Sequence, residues 1–103
     1  MTFRILLAAL AAAPILAAVP ILVAAQDNGR TLAATCAQCH GTDGRSATRE
    51  VTPLAGLPKE FIVAQMKAFR DGTRPATVMQ QLAKGYSDAQ IELIADYFSR
   101  RPR

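Results

Sequence analysis

The spacing of apolar residues between Pro58 and Gly72 predicts a helix. Apolar side chains recur there every three or four positions, which places them on one helical face; they are Ile62, Met66 and Phe69. Proline is common in the first turn of a helix and glycine just after its last residue. We therefore expect this helix to run from Pro58 to Asp71.

A second apolar stripe predicts a helix later in the chain. Its members follow the same spacing; they are Ile91, Ile94, Ala95 and Phe98. Ser87 precedes the stripe as a predicted N-cap, and Gln90 completes a capping box with it. We expect the helix to end before Pro102, because proline cannot continue a helix.

Weaker signals predict two further helices and one long loop. We expect a first helix that is capped by Asp27 or Asn28 and continues through Thr35, and a short helix within Ala76–Lys84. The segment 41–57 is rich in turn-forming residues and has no apolar period, which predicts a loop. No segment has the alternation of a strand, so the sequence predicts an all-α fold of about four helices.

The beginning of the chain has the pattern of an export signal. A short basic start precedes an uncharged apolar stretch that ends in the small residues Val23-Ala24-Ala25. We expect a signal peptide over 1–25 that is cleaved to leave one periplasmic domain, 26–103. A retained membrane anchor is the alternative, because the stretch is long enough to span a bilayer. Pro14 and Pro20 interrupt it and favour the cleaved signal.

The charge balance narrows the class of partner. The 103 residues include 12 Lys and Arg and 8 Asp and Glu, a formal net charge of +4, which falls by one if Arg4 is removed with the signal. No basic run carries interleaved aromatic residues, so we expect no nucleic-acid binding.

A domain this short usually needs a covalent cross-link or a bound metal group to stabilise it in addition to its core.

The chain's only histidine directly follows two cysteines in the run Cys36-Ala37-Gln38-Cys39-His40. This C-x-x-C-H pattern is typical of c-type haem attachment, in which each thiol forms a thioether and the histidine binds the iron. A reactive dithiol or a local disulfide is the alternative; zinc is disfavoured because a second ligand pair at zinc-site spacing is missing. We predict one covalent haem c held by Cys36 and Cys39, with His40 as an axial ligand and the loop 41–57 wrapped around it.

The ligand opposite His40 decides what such a haem does. An open position permits gas binding, as in a sensor, whereas a methionine thioether closes the iron and makes an electron carrier. Met66 lies on a predicted apolar helix face, where methionine usually fills the core. Met79 follows a break at Pro75, and a ligand from a loop or short helix there can reach the ring. We predict Met79 as the second axial ligand of the iron.

Taken in order, these features resemble the class I cytochromes c over residues 26–99. The resemblance rests on Cys36–Gly41, Leu54-Ala55-Gly56, a following methionine and a capped helix with Tyr97-Phe98. It implies that the first and last helices cross and that the distal methionine is Met79. Spacing alone leaves open whether Gly29 permits close packing or belongs to a loose helix start, and the resemblance favours packing. The residues it places at the crossing are Gly29, Leu32, Ile94 and either Tyr97 or Phe98.

One position departs from the family pattern. The family usually has a proline two residues before the leucine of its Pro-x-Leu-x-Gly segment, and the carbonyl there orients the histidine ring. Thr52 occupies that position here, and Pro53 follows it. Because the interaction needs only a backbone carbonyl, Thr52 is able to supply it, although this departure leaves the partner of His40 open.

A longer run, Arg74-Pro75-Ala76-Thr77-Val78-Met79, resembles the haem subunits of flavocytochrome c sulfide dehydrogenases. That resemblance implies a flavoprotein partner that oxidises sulfide and passes electrons to the haem. The chain has no dinucleotide-binding glycine motif, so we expect the flavin to belong to the partner. The alternative is a free periplasmic carrier that serves a terminal oxidase or a reaction centre, since small carriers of the cytochrome c4 and c553 type share much of the remaining pattern.

No group of side chains in the sequence forms a convincing catalytic constellation. Asp43, Glu50 and Asp71 are expected to be solvated residues of loops and helix ends. Tyr86 and Arg45 are either partners of the haem propionates or ordinary surface residues. The predicted activity is therefore outer-sphere transfer of one electron, with no acid, base or nucleophile supplied by the protein.

Overall fold

The structure, a computed structural model, describes residues 28–103. Within this range the chain consists of helices and loops without a strand, which confirms the predicted all-α class. None of the helices in this range is long and apolar enough to cross a membrane. The predicted signal peptide and its cleavage site lie outside the described residues.

Five α-helical segments and one 3₁₀ turn follow one another along the described chain. The first helix, α1, covers 28–34 of the described residues. The others are α2 (Ala37–His40), the 3₁₀ turn (Thr42–Gly44), α3 (Lys59–Asp71), α4 (Val78–Ala83) and α5 (Asp88–Ser99).

The first predicted helix is interrupted where it reaches the cysteines. Residues 35–36 form a turn, closed by a hydrogen bond from the amide of Cys36 to the carbonyl of Ala33 at 3.0 Å. The helix therefore does not run straight into the cysteine motif, and α2 is a separate segment of 4 residues. This break accounts for the difference between five observed segments and the expected four.

Both predicted ends of α3 and the predicted start of α5 are confirmed to within a residue, and α5 ends at Ser99, before Pro102 as expected. Gly72 follows α3 in the left-handed conformation with φ of 79°, where glycine carries no steric penalty. At α5, Gln90 donates its amide to Ser87 Oγ at 3.2 Å and accepts the amide of Ser87 on Oε1 at 2.9 Å. This reciprocal pair is the predicted capping box.

The apolar stripes of α3 and α5 form the core. All four stripe residues of α5 are buried, and Phe98 is only 1% exposed. Ile62 and Met66 of α3 belong to the same cluster, together with Ala33 of α1 and Ala83 of α4. Each large side chain buried in this way contributes about 1.5–3 kcal/mol of apolar transfer free energy.

The first and last helices meet at Gly29. A Cβ at this position would lie 3.0 Å from the carbonyl oxygen of Leu93 and 3.8 Å from Cβ of Tyr97. A larger residue would therefore push α1 and α5 apart, so Gly29 serves close packing, which settles the question that the sequence left open. The contact with Tyr97 is the one that the family resemblance implies, although the nearest backbone belongs to Leu93 rather than Ile94.

The long loop 41–57 is held against α5 by backbone hydrogen bonds. The carbonyl of Gly44 accepts the amides of Leu54 at 2.8 Å and Ala55 at 3.2 Å, and the amide of Gly56 donates to the carbonyl of Phe98 at 3.0 Å. The two ends of the loop thus close on each other and then on the last helix. Apart from the 3₁₀ turn Thr42–Gly44 at its start, the segment has no helix or strand, but these bonds give it a defined path.

Candidate haem-attachment site

The two cysteines and the histidine lie on a single helical turn. The amide of His40 donates to the carbonyl of Cys36 at 2.9 Å, and that of Cys39 donates to the same carbonyl at 3.3 Å. Both thiols are free; Cys36 is half-buried against the core and Cys39 is exposed. The fold therefore keeps all three predicted attachment and ligand residues together at the edge of the core.

The ring of His40 is oriented by the backbone of the loop. Its Nδ1 lies 2.6 Å from the carbonyl oxygen of Thr52, as expected from the position that replaces the family's usual proline. A carbonyl only accepts hydrogen bonds, so Nδ1 carries the proton and Nε2 presents its lone pair. Thr52 precedes Pro53, which restricts it to an extended conformation and helps to fix the direction of the carbonyl.

Burial raises the pKa of the Cys36 thiol above its ordinary value. The negative charge of Cys39 would raise it further, while the neighbouring Thr35 hydroxyl acts in the opposite direction. Dithiol exchange depends on a readily formed thiolate, which usually requires that the pKa of the thiol is lowered. The environment of Cys36 therefore does not activate this thiol for exchange.

Met79 lies on α4 at the border between the core and the surface. On a helix it falls between Ala83, which is 0% exposed, and Leu82, which is 51% exposed. Met79 is half-buried and packs against the same cluster as Cys36. Met66, by contrast, is 7% exposed and lies within the core. The structure therefore places Met79, but not Met66, at the edge of the core.

One interaction that the sequence did not reveal involves Asp43, in the turn after the motif. Asp43 has φ of 54°, a left-handed conformation that short polar residues tolerate better than most. It accepts a hydrogen bond from the hydroxyl of Tyr97, and the guanidinium of Arg101 lies 4.6 Å from the centre of the Tyr97 ring. The expectation that Asp43 is a freely solvated loop residue is therefore wrong.

A second unforeseen interaction joins the two sides of the site. The hydroxyl of Tyr86, which follows α4, lies 2.8 Å from Oγ1 of Thr35, which precedes Cys36. Arg45, the other residue left open by the sequence, donates from Nε to the carbonyl of Pro102 at 3.1 Å. The sequence carries no signal for either pair, because both join residues more than fifty positions apart without any periodic pattern.

An open pocket of about 530 Å³ lies beside the exposed thiol. Its walls are residues of α2 and of the following loop: Ala37, Gln38, Cys39, Gly41, Thr42, Arg45, Ser46, Ala47 and Thr48. Neither His40 nor Met79 contributes to this lining. The pocket therefore does not include the two predicted axial ligands.

The donor set fits haem c. Two free thiols at the required spacing, an imidazole with a free Nε2 and a half-buried thioether are the groups that attach and ligate this cofactor. The carbonyl of Thr52 supplies the hydrogen-bond partner that an iron-binding histidine normally has on its other nitrogen. The residues present are thus chemically suited to hold this cofactor.

Comparisons with known proteins agree with this assignment. The family model for cytochrome c matches residues 26–100. The cytochrome subunit of sulfide dehydrogenase from Chlorobaculum tepidum is 41% identical over 73 residues, covering 71% of this chain and 66% of that protein. The thiosulfate dehydrogenase electron acceptor of Thiomonas intermedia is 41% identical over 69 residues, covering 66% of this chain and 32% of that protein.

A solved structure extends the similarity to the fold. Cytochrome c4 from Acidithiobacillus ferrooxidans superposes with a TM-score of 0.69 at 32% identity, over 74% of this chain and 49% of that one. The chain spans less than two thirds of each of these three proteins. The matched family, the class I fold and the attachment motif together lead to one conclusion: the chain belongs to the cytochrome c family and carries an attachment motif for covalently bound haem c.

Proposed function

We propose that this cytochrome carries single electrons in the periplasm, with haem attached through Cys36 and Cys39 and ligated by His40 and Met79. The signal peptide, 1–25, would be removed on export and leave the haem domain, 26–103. When bound, haem c supplies a one-electron Fe(III)/Fe(II) couple. The protein's own part is to hold two axial ligands in place and to keep the site closed to other ligands.

The observation that carries this proposal is the hydrogen bond between His40 Nδ1 and the Thr52 carbonyl at 2.6 Å. It fixes the tautomer that leaves Nε2 as a ligand and holds the ring in one orientation. An ordinary surface histidine needs neither a fixed tautomer nor a fixed ring orientation. The bond therefore supports an iron-binding role for the only histidine in the chain.

The position of α4 supports Met79 as the second ligand. Its half-buried side chain packs on the cluster that also contacts Cys36, whereas Met66 is enclosed among core residues. If Met66 left the core to bind the iron, it would leave a cavity. By analogy with large-to-small substitutions, this would cost several kcal/mol of folding free energy. A methionine at the edge of the core can bind the iron without opening such a cavity.

We propose a sulfide-oxidising flavoprotein as the electron donor. The Arg74–Met79 run and the relative from Chlorobaculum tepidum support this choice. Oxidation of sulfide to the level of sulfur releases two electrons, so a single-haem chain would be reduced in a ratio of two molecules to each sulfide. The relative from Thiomonas intermedia, named as an acceptor for thiosulfate dehydrogenase, makes a thiosulfate-linked donor the alternative to be tested.

The donor is tested by isolating the holoprotein from its native host with its bound partners. We expect a flavin-containing protein to co-purify, and added sulfide to reduce two haems for each sulfide consumed. Thiosulfate, added separately, should leave the haem oxidised. Reduction by thiosulfate alone would replace the proposed donor, and isolation as a lone protein with no sulfide-linked reduction would favour the free carrier.

The attachment residues are tested by staining for haem after denaturing electrophoresis. The wild-type protein should retain its haem because the thioether bonds survive denaturation. A variant with both Cys36→Ser and Cys39→Ser should lose the stain completely. Persistence of the stain in this variant would contradict covalent attachment through the two thiols.

A further inference from the structure

The hydrogen bond between Tyr86 and Thr35 has a definite direction. Thr35 Oγ1 lies 2.9 Å from the carbonyl of Leu32, to which it must donate, and 2.8 Å from the hydroxyl of Tyr86. A threonine hydroxyl has one proton, so the hydroxyl of Tyr86 is the donor to Thr35. The phenolic group thus docks on a side chain that is itself fixed to the end of α1.

This bond joins the two segments that carry the predicted haem-binding groups. Thr35 is adjacent to Cys36, and Tyr86 lies three residues beyond Ala83, the last residue of α4. In the described part of the chain, it is the only hydrogen bond between segments 35–41 and 76–86. The other side of Tyr86 is held by α3, since Arg70 donates to its carbonyl at 3.4 Å and pairs with Asp88 at 2.7 Å.

The helix that carries Met79 has little stability of its own. It contains 6 residues, and Thr77 at its N-cap makes no side-chain capping bond. Isolated helices of this length are unstable in water because nucleation is unfavourable. Val78 and Leu82 on its outer face are 58% and 51% exposed, so packing anchors mainly the opposite face.

The two flanks of α4 are fixed to different parts of the molecule. Before it, the hydroxyl of Thr73 and the amide of Arg74 both donate to the carbonyl of Ala68, at 3.3 Å and 3.1 Å. These bonds hold the flank to the end of α3 and not to the cysteine segment. After it, Tyr86 reaches the residue next to Cys36. Besides the packing of α4 on α3 and the core, this second flank supplies the hydrogen bond that joins α4 to the cysteine segment.

We propose that the Tyr86–Thr35 bond is a tie that keeps α4 beside the attachment segment and so protects Met79 from displacement by competing iron ligands. The proposal rests on the proposed His40 and Met79 ligation. Tyr86 and Thr35 are positioning residues here, because neither needs to touch the iron. Breaking the tie leaves the attachment residues unchanged but allows α4, and Met79 with it, to move away more often.

The test is a titration of the oxidised holoprotein with imidazole, followed by the weak sulfur-to-iron charge-transfer band. Imidazole competes for the axial position, so the concentration that halves the band reports how firmly the thioether is held. Loss of one ordinary hydrogen bond changes such an equilibrium about fivefold. We expect Tyr86→Phe to lower the half-displacement concentration by about this factor.

Three further variants isolate the tie. Thr35→Val should have a similar effect, and adding it to Tyr86→Phe should cause little further change because both remove the same bond. Thr35→Ser retains the acceptor and should restore nearly wild-type behaviour. Tyr97→Phe is the matched control: it also removes one tyrosine hydroxyl, but from the bond with Asp43, and should leave the imidazole titration unchanged.

Two results would overturn the tie: a wild-type titration curve for Tyr86→Phe, or an equal shift for Tyr97→Phe, which would indicate general loosening. Failure of the underlying ligation looks different. If the wild-type protein lacks the charge-transfer band, or Met79→Leu keeps it, then the axial assignment fails before the tie is tested. If the band depends on Met79 but not on Tyr86, only the tie fails.

Discussion

Removing the hydroxyl of Tyr97 should destabilise the holoprotein by a predictable amount. Tyr97→Phe deletes the hydrogen bond to Asp43 and leaves the ring in place against Gly29, Phe98 and Arg101. A hydrogen bond to a charged group is worth about 1.5–3 kcal/mol. The pair is only partly buried, so solvent screening reduces the expected loss to about 1 kcal/mol.

The assay is thermal and guanidinium unfolding of the purified holoprotein at neutral pH. For a domain of this size, a loss of 1 kcal/mol lowers Tm by about 4–8 °C. The variant and the wild type should show the same dependence of unfolding free energy on guanidinium, because the surface exposed on unfolding is unchanged.

The difference should vanish in strong alkali. The hydrogen bond to Asp43 is the main cause that raises the pKa of Tyr97; burial and the charge of Asp43 add to it, and Arg101 and Arg30 oppose it. A group whose pKa is raised by folding stabilises the fold fully below its unfolded pKa, about 10 for tyrosine. That contribution is lost as the pH rises through the higher folded pKa. Above that pH, the unfolding free energy of the wild type should approach that of Tyr97→Phe.

The Asp43→Asn protein is the matched background in which the cost of Tyr97→Phe is measured again. Asparagine tolerates the left-handed backbone of this position and keeps an acceptor oxygen, but it removes the charge. Tyr97→Phe should therefore cost less in the Asp43→Asn protein than in the wild type. Equal stability of Tyr97→Phe and wild type at neutral pH, or a deficit that persists unchanged in strong alkali, would refute the reasoning.

Two further substitutions test the packing and capping of α5. Gly29→Val places a branched side chain where even a Cβ would lie 3.0 Å from the carbonyl of Leu93, so α1 and α5 must separate; we expect a loss of about 2 kcal/mol in unfolding free energy. An unchanged unfolding midpoint would show that the helices do not meet there. Ser87→Ala removes the acceptor of the capping box and should cost about 1 kcal/mol, measured by the same unfolding assay, whereas Ser99→Ala at the other end of α5 should cost less. Equal losses for the two serine variants would argue against the cap.

The parts of the fold that the sequence predicted are those with a local physical signature. The stripes of α3 and α5 follow helical spacing, and their ends carry Gly72 and Ser87, whose roles depend only on the neighbouring backbone. The partner of His40 could also be anticipated, because the need for a carbonyl at position 52 follows from the ligand chemistry and the family pattern.

The parts that the sequence did not predict are polar contacts between distant segments. Asp43 with Tyr97, and Thr35 with Tyr86, are separated by 54 and 51 positions. A single aspartate or tyrosine forms no periodic pattern in the sequence. Its hydrogen-bond partner is set by how the helices pack. The break at 35–36 was missed for a similar reason: the local residues suit a helix, but the chain turns there to bring the cysteines to the edge of the core.

The most direct test of the axial assignment compares leucine substitutions at the two internal methionines. Leucine nearly conserves the volume of methionine and lacks the sulfur, so the core should tolerate the change at position 66. We predict that Met79→Leu abolishes the sulfur-to-iron charge-transfer band of the oxidised protein and opens the reduced protein to carbon monoxide, while Met66→Leu retains the band. Loss of the band in Met66→Leu and its survival in Met79→Leu would contradict the ligation by His40 and Met79 on which the proposed function depends.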